Sequence, residues 1–282
     1  MEQEILAAKY DTIFKRIFAD KNYVNTLINF LKAVLDLPDD EYYNLTIADP
    51  HLTPLHKDGK LFVLDLKLQT VGGKIIHIEI QITTMKGLRE RIMAYGSRLL
   101  SEQLAKGEHY DSLHKVITIL ITDFSLIDES SEYHNKFLMR NDTGNITLTE
   151  IFEIHVLELT KIPPAEDGNI IWRWLKLLTT DNQEELDMLE QHYPELKEPI
   201  LRIKQLSADE RVREEFWAQA RDRYDAAARL REAMAEGEAR GRAEERTALV
   251  RSMLQRGLHT DDIAKLTGLT LEEIEKADAQ LC

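Results

Sequence analysis

LFVLDLKLQTVGGKIIHIEIQI (residues 61–82) alternates apolar and polar side chains on both sides of a glycine pair. Side chains alternate between the two faces of a strand, so each arm has one apolar face. The pattern predicts a β-hairpin with that face against the core. The apolar positions are Phe62, Leu64, Leu66 and Leu68 on the first arm and Ile76, Ile78, Ile80 and Ile82 on the second.

The apolar face also selects the register of the hairpin. A two-residue loop at Gly72-Gly73 would pair even with odd positions and put the two apolar faces on opposite sides of the sheet. A three-residue loop, 71–73, pairs even with even positions, and glycine suits the left-handed conformation that such loops use. In this register Asp65 lies opposite Glu79, and Val63 lies opposite Gln81.

The opposite face of the hairpin is polar and acidic, and it carries Asp65, Lys67, His77, Glu79 and Gln81. Two carboxylates in directly opposed positions destabilise a sheet unless another group compensates. A divalent cation bound by their oxygen atoms would do so. His77 could assist as a ligand or base, although a lone histidine beside a hairpin turn is more often a surface residue. A solvated face on which Lys67 offsets the carboxylates explains the same alternation, and the pattern alone does not decide between the two.

Composition sets the class of protein. The chain has 282 residues, 43% of them hydrophobic, and a net charge of −14, and its one cysteine is Cys282. An intramolecular disulfide framework and a cysteine-based zinc site are thereby excluded. We find neither a signal-peptide core nor an apolar run of the roughly 18 residues that a membrane helix needs. We therefore expect a cytoplasmic protein without a membrane partner. The acidic total lowers the expectation of strong non-specific DNA binding.

Periodicity along the chain predicts an α/β core followed by a helical C-terminal region. We predict helices over 4–19, 21–36 and 87–106, the last closed by Gly107, and strands over 45–48, 116–121 and 148–159. After Pro163-Pro164 the signals are helical only. The predicted domains are a core, a helical extension that packs on it, a charged helical linker and a small helix-turn-helix-like tail, at 1–165, 166–206, 207–251 and 252–282.

Several segments together resemble the PD-(D/E)XK nuclease superfamily, and more narrowly its Rpn-type recombination-promoting nuclease or transposase family. They occur in the family's order and at plausible spacing, and they cover most of residues 7–124. The segments are YDTIFKRIF (10–18), VLDLKLQT (63–70), HIEIQ (77–81), RERIMAYGSRLLSEQLAKGEHY (89–110) and KVITILITDF (115–124).

The resemblance implies a restriction-endonuclease-like mixed sheet flanked by helices. It assigns Asp65 and Glu79 as metal ligands, Gln81 as the residue at the superfamily's usual lysine position, and Asp11 as an outer or second-metal ligand. Mg²⁺ is the implied ion, with Mn²⁺ or Ca²⁺ as alternatives, and the implied chemistry is phosphodiester hydrolysis. Glutamine cannot supply the charge of a lysine, so in this interpretation Gln81 orients the attacking water.

Basic side chains near this site are candidates for contact with DNA. Lys15 lies one helical turn after Asp11, and Arg91 and Tyr95 share one face of their predicted helix. An Arg fork suits phosphates, although ion pairing of Arg91 with Glu90, Glu102 or the site carboxylates is an alternative.

The C-terminal tail, 252–278, is predicted to form two short helices around Gly268, with Thr260 and Thr270 as N-caps. Its second helix carries Glu272, Glu273 and Glu275, which favours protein contacts over DNA-groove binding.

Two functions remain open at this point. The first is a metal-dependent DNA endonuclease associated with recombination or mobile elements, with DNA as its partner. The second is a catalytically weak or inactive protein that keeps the nuclease fold as an interaction module. The helical C-terminal region offers a surface for homo-oligomerisation in either case.

Overall fold

The computed structural model describes residues 4–52 and 62–279. Its helices are α1 (Asp11–Phe18), α2 (Val24–Val34), α3 (Leu88–Ser101), α4 (Ile170–Thr179), α5 (Gln183–His192), α6 (Lys197–Ala208), α7 (Glu210–Gln255), α8 (Thr260–Thr267) and α9 (Leu271–Ala279). Its strands are β1 (Thr46–Ala48), β2 (His51–Leu52), β3 (Phe62–Val63), β4 (Leu66–Gln69), β5 (Ile75–Gln81), β6 (Val116–Thr122), β7 (His134–Arg140) and β8 (Thr147–Glu158). Single 3₁₀ turns occur at Lys21–Tyr23, Asp39–Tyr42, Tyr110–Ser112, Leu159–Lys161 and Pro194–Leu196.

A mixed sheet of six strands organises the larger part of the chain, in the order β1-β4-β5-β6-β8-β7. β5, β6 and β8 run parallel to one another, and the remaining neighbours are antiparallel. β2 and β3 form a separate antiparallel pair. Helices cover both faces of the sheet, and a long helix follows it, so the predicted restriction-endonuclease-like α/β fold class is confirmed.

The β4–β5 hairpin has the predicted register. Leu66 pairs with Ile78 and Gln69 with Ile75, and the three-residue loop closes with a hydrogen bond of 2.9 Å from Thr70 N to Lys74 O. Gly73 has φ +82°, the left-handed conformation that the loop requires. The even side chains Leu66 and Leu68 are buried in the main core, so burial of one apolar face did select this register.

The first arm of the hairpin is shorter than predicted, because the chain bends at Leu64–Asp65. β3 pairs with β2 instead of continuing along β5, so the prediction that Val63 lies opposite Gln81 is wrong. Leu64 packs on the other side of the sheet from Leu66, in a cluster with Leu99. Strand alternation therefore does not run unbroken through Asp65.

Two apolar layers sandwich the sheet. On one face Ile76, Ile78 and Ile80 pack in a core to which α1, α2, α4, α5 and α6 all contribute. On the other face α3 lies over β5 and β6, with Tyr95 and Leu99 buried. This second layer covers the polar face of the hairpin.

Two predicted helices are too long at one end. Residues 4–10 precede α1 in a non-helical conformation, because Leu6 N donates to Ser207 Oγ (3.0 Å) and Lys9 N donates to Leu178 O (2.9 Å). These backbone groups are therefore not available for helical bonds. Helix α3 ends at Ser101 rather than near Gly107, and the Gln103 side chain then binds the backbone N and O of His114 at 2.7 and 3.0 Å.

The chain separates into two compact units, Met1–Phe216 and Trp217–Cys282. In the second unit α7 continues as one helix through Gly237 and Gly241, as the helical prediction for this stretch expected, and residues 229–246 are exposed throughout. Within residues 4–52 and 62–279, every helix is too short or too polar to cross a membrane.

Helices α8 and α9 form a small core with the end of α7, in which Val250, Ile263 and Ile274 are buried. The predicted N-cap at Thr270 is confirmed, because Thr270 and Glu273 exchange backbone–side-chain hydrogen bonds of 2.9 and 3.3 Å. The prediction for Thr260 is wrong. His259 is the N-cap of α8, and it makes no side-chain capping bond.

Candidate active site

Asp65 lies at the bend just before β4, one residue beyond the last hairpin pair. Its Oδ2 accepts a hydrogen bond of 3.0 Å from the backbone N of Ile80. This bond turns the carboxylate toward the end of β5, where Glu79 lies. Two acidic residues that are distant in the sequence therefore meet where the two strands separate.

Glu79 is buried beneath α3, with only 2% of its surface exposed. Arg91 Nη2 lies 2.6 Å from its Oε1, and His77 Nε2 lies 3.3 Å from its Oε2. His77 is itself fully buried, so the expectation of a surface histidine is wrong, and its Nδ1 has no hydrogen-bond partner within the described residues. The solvated-face interpretation is therefore wrong for β5, and both oxygens of Glu79 are held by the protein.

Lys15 connects the first helix to this acidic pair. Its Nζ lies 2.9 Å from Asp11 Oδ1 and 3.1 Å from Asp65 Oδ1. Although burial acts to lower it, the pKa of Lys15 is raised by Asp11 and Asp65. The ammonium is thus charged at neutral pH and shared by two carboxylates.

The electrostatics of Asp65 are those of an under-compensated acid. Burial and, after it, the charge of Glu79 raise the pKa of Asp65, while the hydrogen bond from Ile80 and the charge of Lys15 act against them. Like charges held close together in a partly buried site are common at functional centres, because a bound cation or substrate can relieve them.

Gln81 lies at the end of β5, and its Nε2 donates to Thr83 O (3.2 Å) with a second contact to Thr83 Oγ1 (3.4 Å). Beside it is an ion pair that the sequence reasoning missed, in which Lys9 Nζ lies 2.7 Å from Asp123 Oδ2. This ion pair is connected to the end of β5 by a hydrogen bond of 3.1 Å from Asp123 N to Gln81 O. One available signal was that Asp123 directly follows a buried parallel strand, a common position for functional residues.

Arg91 and Tyr95 share a face of α3, as their spacing predicts. Arg91 Nε donates to Tyr95 Oη at 2.9 Å, and the guanidinium lies 5.0 Å from the centre of the tyrosine ring. Since Arg91 also binds Glu79, the structure favours the ion-pairing alternative for this residue. Further along α3, Arg98 Nε forms an ion pair with Glu102 Oε1, the residue after the helix, at 3.0 Å.

The site suits a divalent cation in the kind of ligand that it offers. Asp65 and Glu79 supply carboxylate oxygens, the ligands that Mg²⁺, Mn²⁺ and Ca²⁺ prefer. Asp11 Oδ1 is a buried acceptor that makes no hydrogen bond of good geometry, although Lys15 is near. In the part of the chain that the structure describes, no three His, Cys, Asp or Glu residues are grouped closely enough to hold a metal ion. The residues therefore fit the ion only if some of the present partners give way.

The mixed sheet, flanked by helices and carrying Asp65 and Glu79 where β4 and β5 separate, defines a restriction-endonuclease-like α/β protein. A family model described as PD-(D/E)XK nuclease family transposase matches residues 8–233, and the chain belongs to this family. No curated protein and no solved structure showed a significant match. The family supports a nuclease-like function associated with mobile elements and indicates DNA as the substrate.

Proposed function

We propose that this protein is a metal-dependent DNA endonuclease that hydrolyses phosphodiester bonds in recombination or mobile-element reactions. One observation carries the proposal. Asp65 and Glu79 converge at the end of the β4–β5 pairing in a chain that belongs to a nuclease-type family. Carboxylates so arranged are the usual means by which proteins hold Mg²⁺ at a phosphate.

Asp65 and Glu79 would hold Mg²⁺, for which Mn²⁺ or Ca²⁺ could substitute, and Asp11 would be an outer ligand. A divalent ion bound there supplies a Lewis acid for the scissile phosphate and lowers the pKa of a bound water. The Ile80 amide orients Asp65, and Arg91 fixes Glu79 against the sheet. These contacts limit the movement of the two acids during the reaction.

Gln81 and Lys15 have separate roles in this proposal. The amide nitrogen of Gln81 is bonded to Thr83, so its Oε1 is the atom that would accept a hydrogen bond from the attacking water. An amide can orient a water but cannot take its proton. Lys15 is 38% exposed, and its ammonium is the positive charge of the site with the greatest access to a DNA phosphate.

The test is Mg²⁺-dependent nicking of supercoiled plasmid by the full chain. We expect Asp65→Asn to reduce the nicking rate by roughly 100-fold or more, since removing a principal catalytic group typically costs at least that much. Asp142→Asn, a substitution at an exposed turn of the β7–β8 hairpin, is the matched control and should cut as wild type does. A wild-type protein that fails to cut with Mg²⁺ or Mn²⁺ would contradict the proposal.

A second candidate function, a non-catalytic interaction module, is favoured by one observation. Both oxygens of Asp65 and both oxygens of Glu79 already have protein partners. This alternative would be supported if the wild-type protein binds DNA without cutting it and the Asp65→Asn variant binds DNA with the same affinity. Self-association through the helical C-terminal region and protein binding by the tail stay predictions.

A further inference from the structure

We infer that Lys15 is the resident counter-ion of Asp65. Its ammonium would leave Asp65 Oδ1 when the site carboxylates hold a divalent cation, and it would then bind a DNA phosphate. The inference rests on the proposed function, because it concerns the same site. It assigns Lys15 two successive partners, a carboxylate before the cation binds and a phosphate afterwards.

The contacts of Lys15 are those of a group that can leave. Its Nζ lies 3.1 Å from Asp65 Oδ1, longer than most charge-assisted hydrogen bonds, and its side chain is 38% exposed. A lysine side chain is a flexible four-carbon stem that carries a point charge, so it can release one acceptor at little geometric cost. Oδ2 of Asp65 keeps its bond to Ile80 N throughout.

Arg91 is the less mobile of the two cations. It contacts Glu79 at 2.6 Å, Tyr95 Oη at 2.9 Å and Met85 Sδ at 3.3 Å, and it stacks on the tyrosine ring. Releasing it would break several contacts at once and expose a glutamate that is otherwise buried. The exchange therefore falls on Lys15 rather than on Arg91.

The displaced ammonium stays at the site because Asp11 holds it. Asp11 and Lys15 are one helical turn apart on α1, and their ion pair of 2.9 Å does not depend on Asp65. The carboxylate count favours the exchange too. Among the residues that the structure describes, the three carboxylates Asp11, Asp65 and Glu79 form ion pairs with two lysine or arginine side chains, Lys15 and Arg91.

The position of Lys15 also explains how the site can function with Gln81. Glutamine brings no charge to the end of β5, and its amide nitrogen is committed to Thr83. A lysine on the neighbouring helix, released from Asp65 when the cation binds, would supply the missing positive charge to the phosphate. The Lys15 charge would then be available to a phosphate only when the site holds the cation.

The experiment compares Mn²⁺ affinity, measured by electron paramagnetic resonance, with the affinity for a fluorescently labelled DNA duplex in Ca²⁺. We expect Lys15→Met to tighten Mn²⁺ binding roughly fivefold, because a partly exposed ion pair no longer competes. The same variant should weaken DNA binding in Ca²⁺ by a similar factor, because a phosphate contact is lost. Lys15→Arg, which retains the charge, should stay near wild type in both measurements.

Lys9→Met is the matched control for the charge alone. It removes a positive charge beside Gln81, where Lys9 pairs with Asp123, but it has no contact with Asp65 in the structure. We expect less than a twofold change in Mn²⁺ affinity. The inference is overturned if Lys15→Met binds Mn²⁺ no tighter than wild type, or if Lys9→Met gains as much.

The outcome is distinguishable from failure of the proposed function. Tighter Mn²⁺ binding and weaker DNA binding by Lys15→Met support the exchange even if wild type cuts no DNA, a result that would contradict the endonuclease proposal alone. Absence of Mn²⁺ binding by both wild type and Lys15→Met overturns the exchange. Tighter Mn²⁺ binding with unchanged DNA affinity overturns the phosphate half of the inference.

Discussion

Two buried glutamates on the same sheet lie in opposite electrostatic surroundings. Glu79 on β5 and Glu153 on β8 each have a histidine two residues away on the same strand, and they are 2% and 4% exposed. Glu79 lies near a second acid, Asp65. Glu153 is held by Lys115 Nζ at 2.6 Å and by Lys136 Nζ at 3.1 Å.

Their electrostatic consequences differ in sign. Burial and the charge of Glu79 raise the pKa of Asp65. At the other cluster burial also acts to raise the pKa of Glu153, but hydrogen bonds from His155, Lys115 and Lys136 hold that pKa far below its usual range. A buried carboxylate that several cationic groups neutralise, such as that of Glu153, stabilises the fold. Acids that share too few cations can bind a further one. We therefore propose a functional role for the first cluster, around Asp65 and Glu79, and a stabilising role for the second cluster, around Glu153.

The largest expected effect comes from removing the charge of Glu153 in the second cluster. We call this the saturated cluster, because its one carboxylate is paired with Lys115, Lys136 and His155. Glu153→Gln leaves the two lysines and His155, 2.5 Å away, without their shared carboxylate. We expect the free energy of unfolding to fall by roughly 2–3 kcal/mol, since a buried carboxylate that accepts several charge-assisted hydrogen bonds is lost. Urea denaturation measures this change.

The control for that substitution is Glu150→Gln, at an exposed position of the same strand, where we expect a change within about 0.5 kcal/mol. A loss at position 153 no larger than at position 150 would contradict the stabilising role of the cluster. The contrast between the two glutamates would then have no energetic basis.

Local patterns predicted much of the first cluster. Alternation on two arms and a glycine loop required the register that brings Asp65 next to Glu79, because any odd shift exposes an apolar face. The bend at Asp65 was not predictable, since it depends on β3 pairing with the distant strand β2. Helical spacing put Arg91 and Tyr95 on one face of α3, but it could not identify Glu79 as the partner of Arg91.

The second cluster was missed altogether, for a physical reason. An alternating strand such as β8 looks the same whether its polar face is solvated or covered, because periodicity reports the direction of side chains and not what lies over them. Two partners of Glu153 come from outside β8, since Lys115 directly precedes β6 and Lys136 lies on β7. Only the tertiary fold brings Lys115 and Lys136 to it.

The next effect concerns His134, whose Nε2 lies 2.7 Å from His155 Nδ1 at the saturated cluster. Burial and the neighbouring positive groups lower the pKa of His134 from 6.5 to about 4. Between pH 6.5 and about 4, His134 is therefore protonated in the unfolded chain but neutral in the folded protein. Stability is therefore complete above about pH 6.5 and falls as the pH drops toward 4.

Between pH 6.5 and 4 we expect the wild type to lose about 1–2 kcal/mol more of its free energy of unfolding than His134→Gln, which has no imidazole to protonate at this position. Urea unfolding of wild type and variant across this range measures the difference. His192→Gln, at an exposed position on α5, is the matched control and should leave the pH dependence as it is in wild type. Parallel curves for wild type and His134→Gln would show that the cluster excludes no proton.

The smallest expected effect has the opposite sign and belongs to the acidic pair. Because burial and Glu79 raise the pKa of Asp65 in the folded protein, its contribution to stability is present below its unfolded pKa and is lost as the pH rises through the folded pKa. At neutral pH the charged Asp65 therefore costs stability, and Asp65→Asn, which resembles the protonated acid, should raise the free energy of unfolding by about 0.5–1 kcal/mol. That gain should shrink as the pH falls toward 3.8, where Asp65 also becomes protonated.

Urea unfolding of Asp65→Asn beside Asp142→Asn measures this gain. A variant that loses nicking while gaining stability would separate Asp65 from Glu153, whose neutralisation costs stability. Asp65→Asn would instead destabilise the protein, as Glu153→Gln is expected to, if Lys15 and the Ile80 amide fully stabilise the charge of Asp65. In that case the site would gain no stability from binding a further cation. The contrast between the two clusters would then fail where the proposed function depends on it.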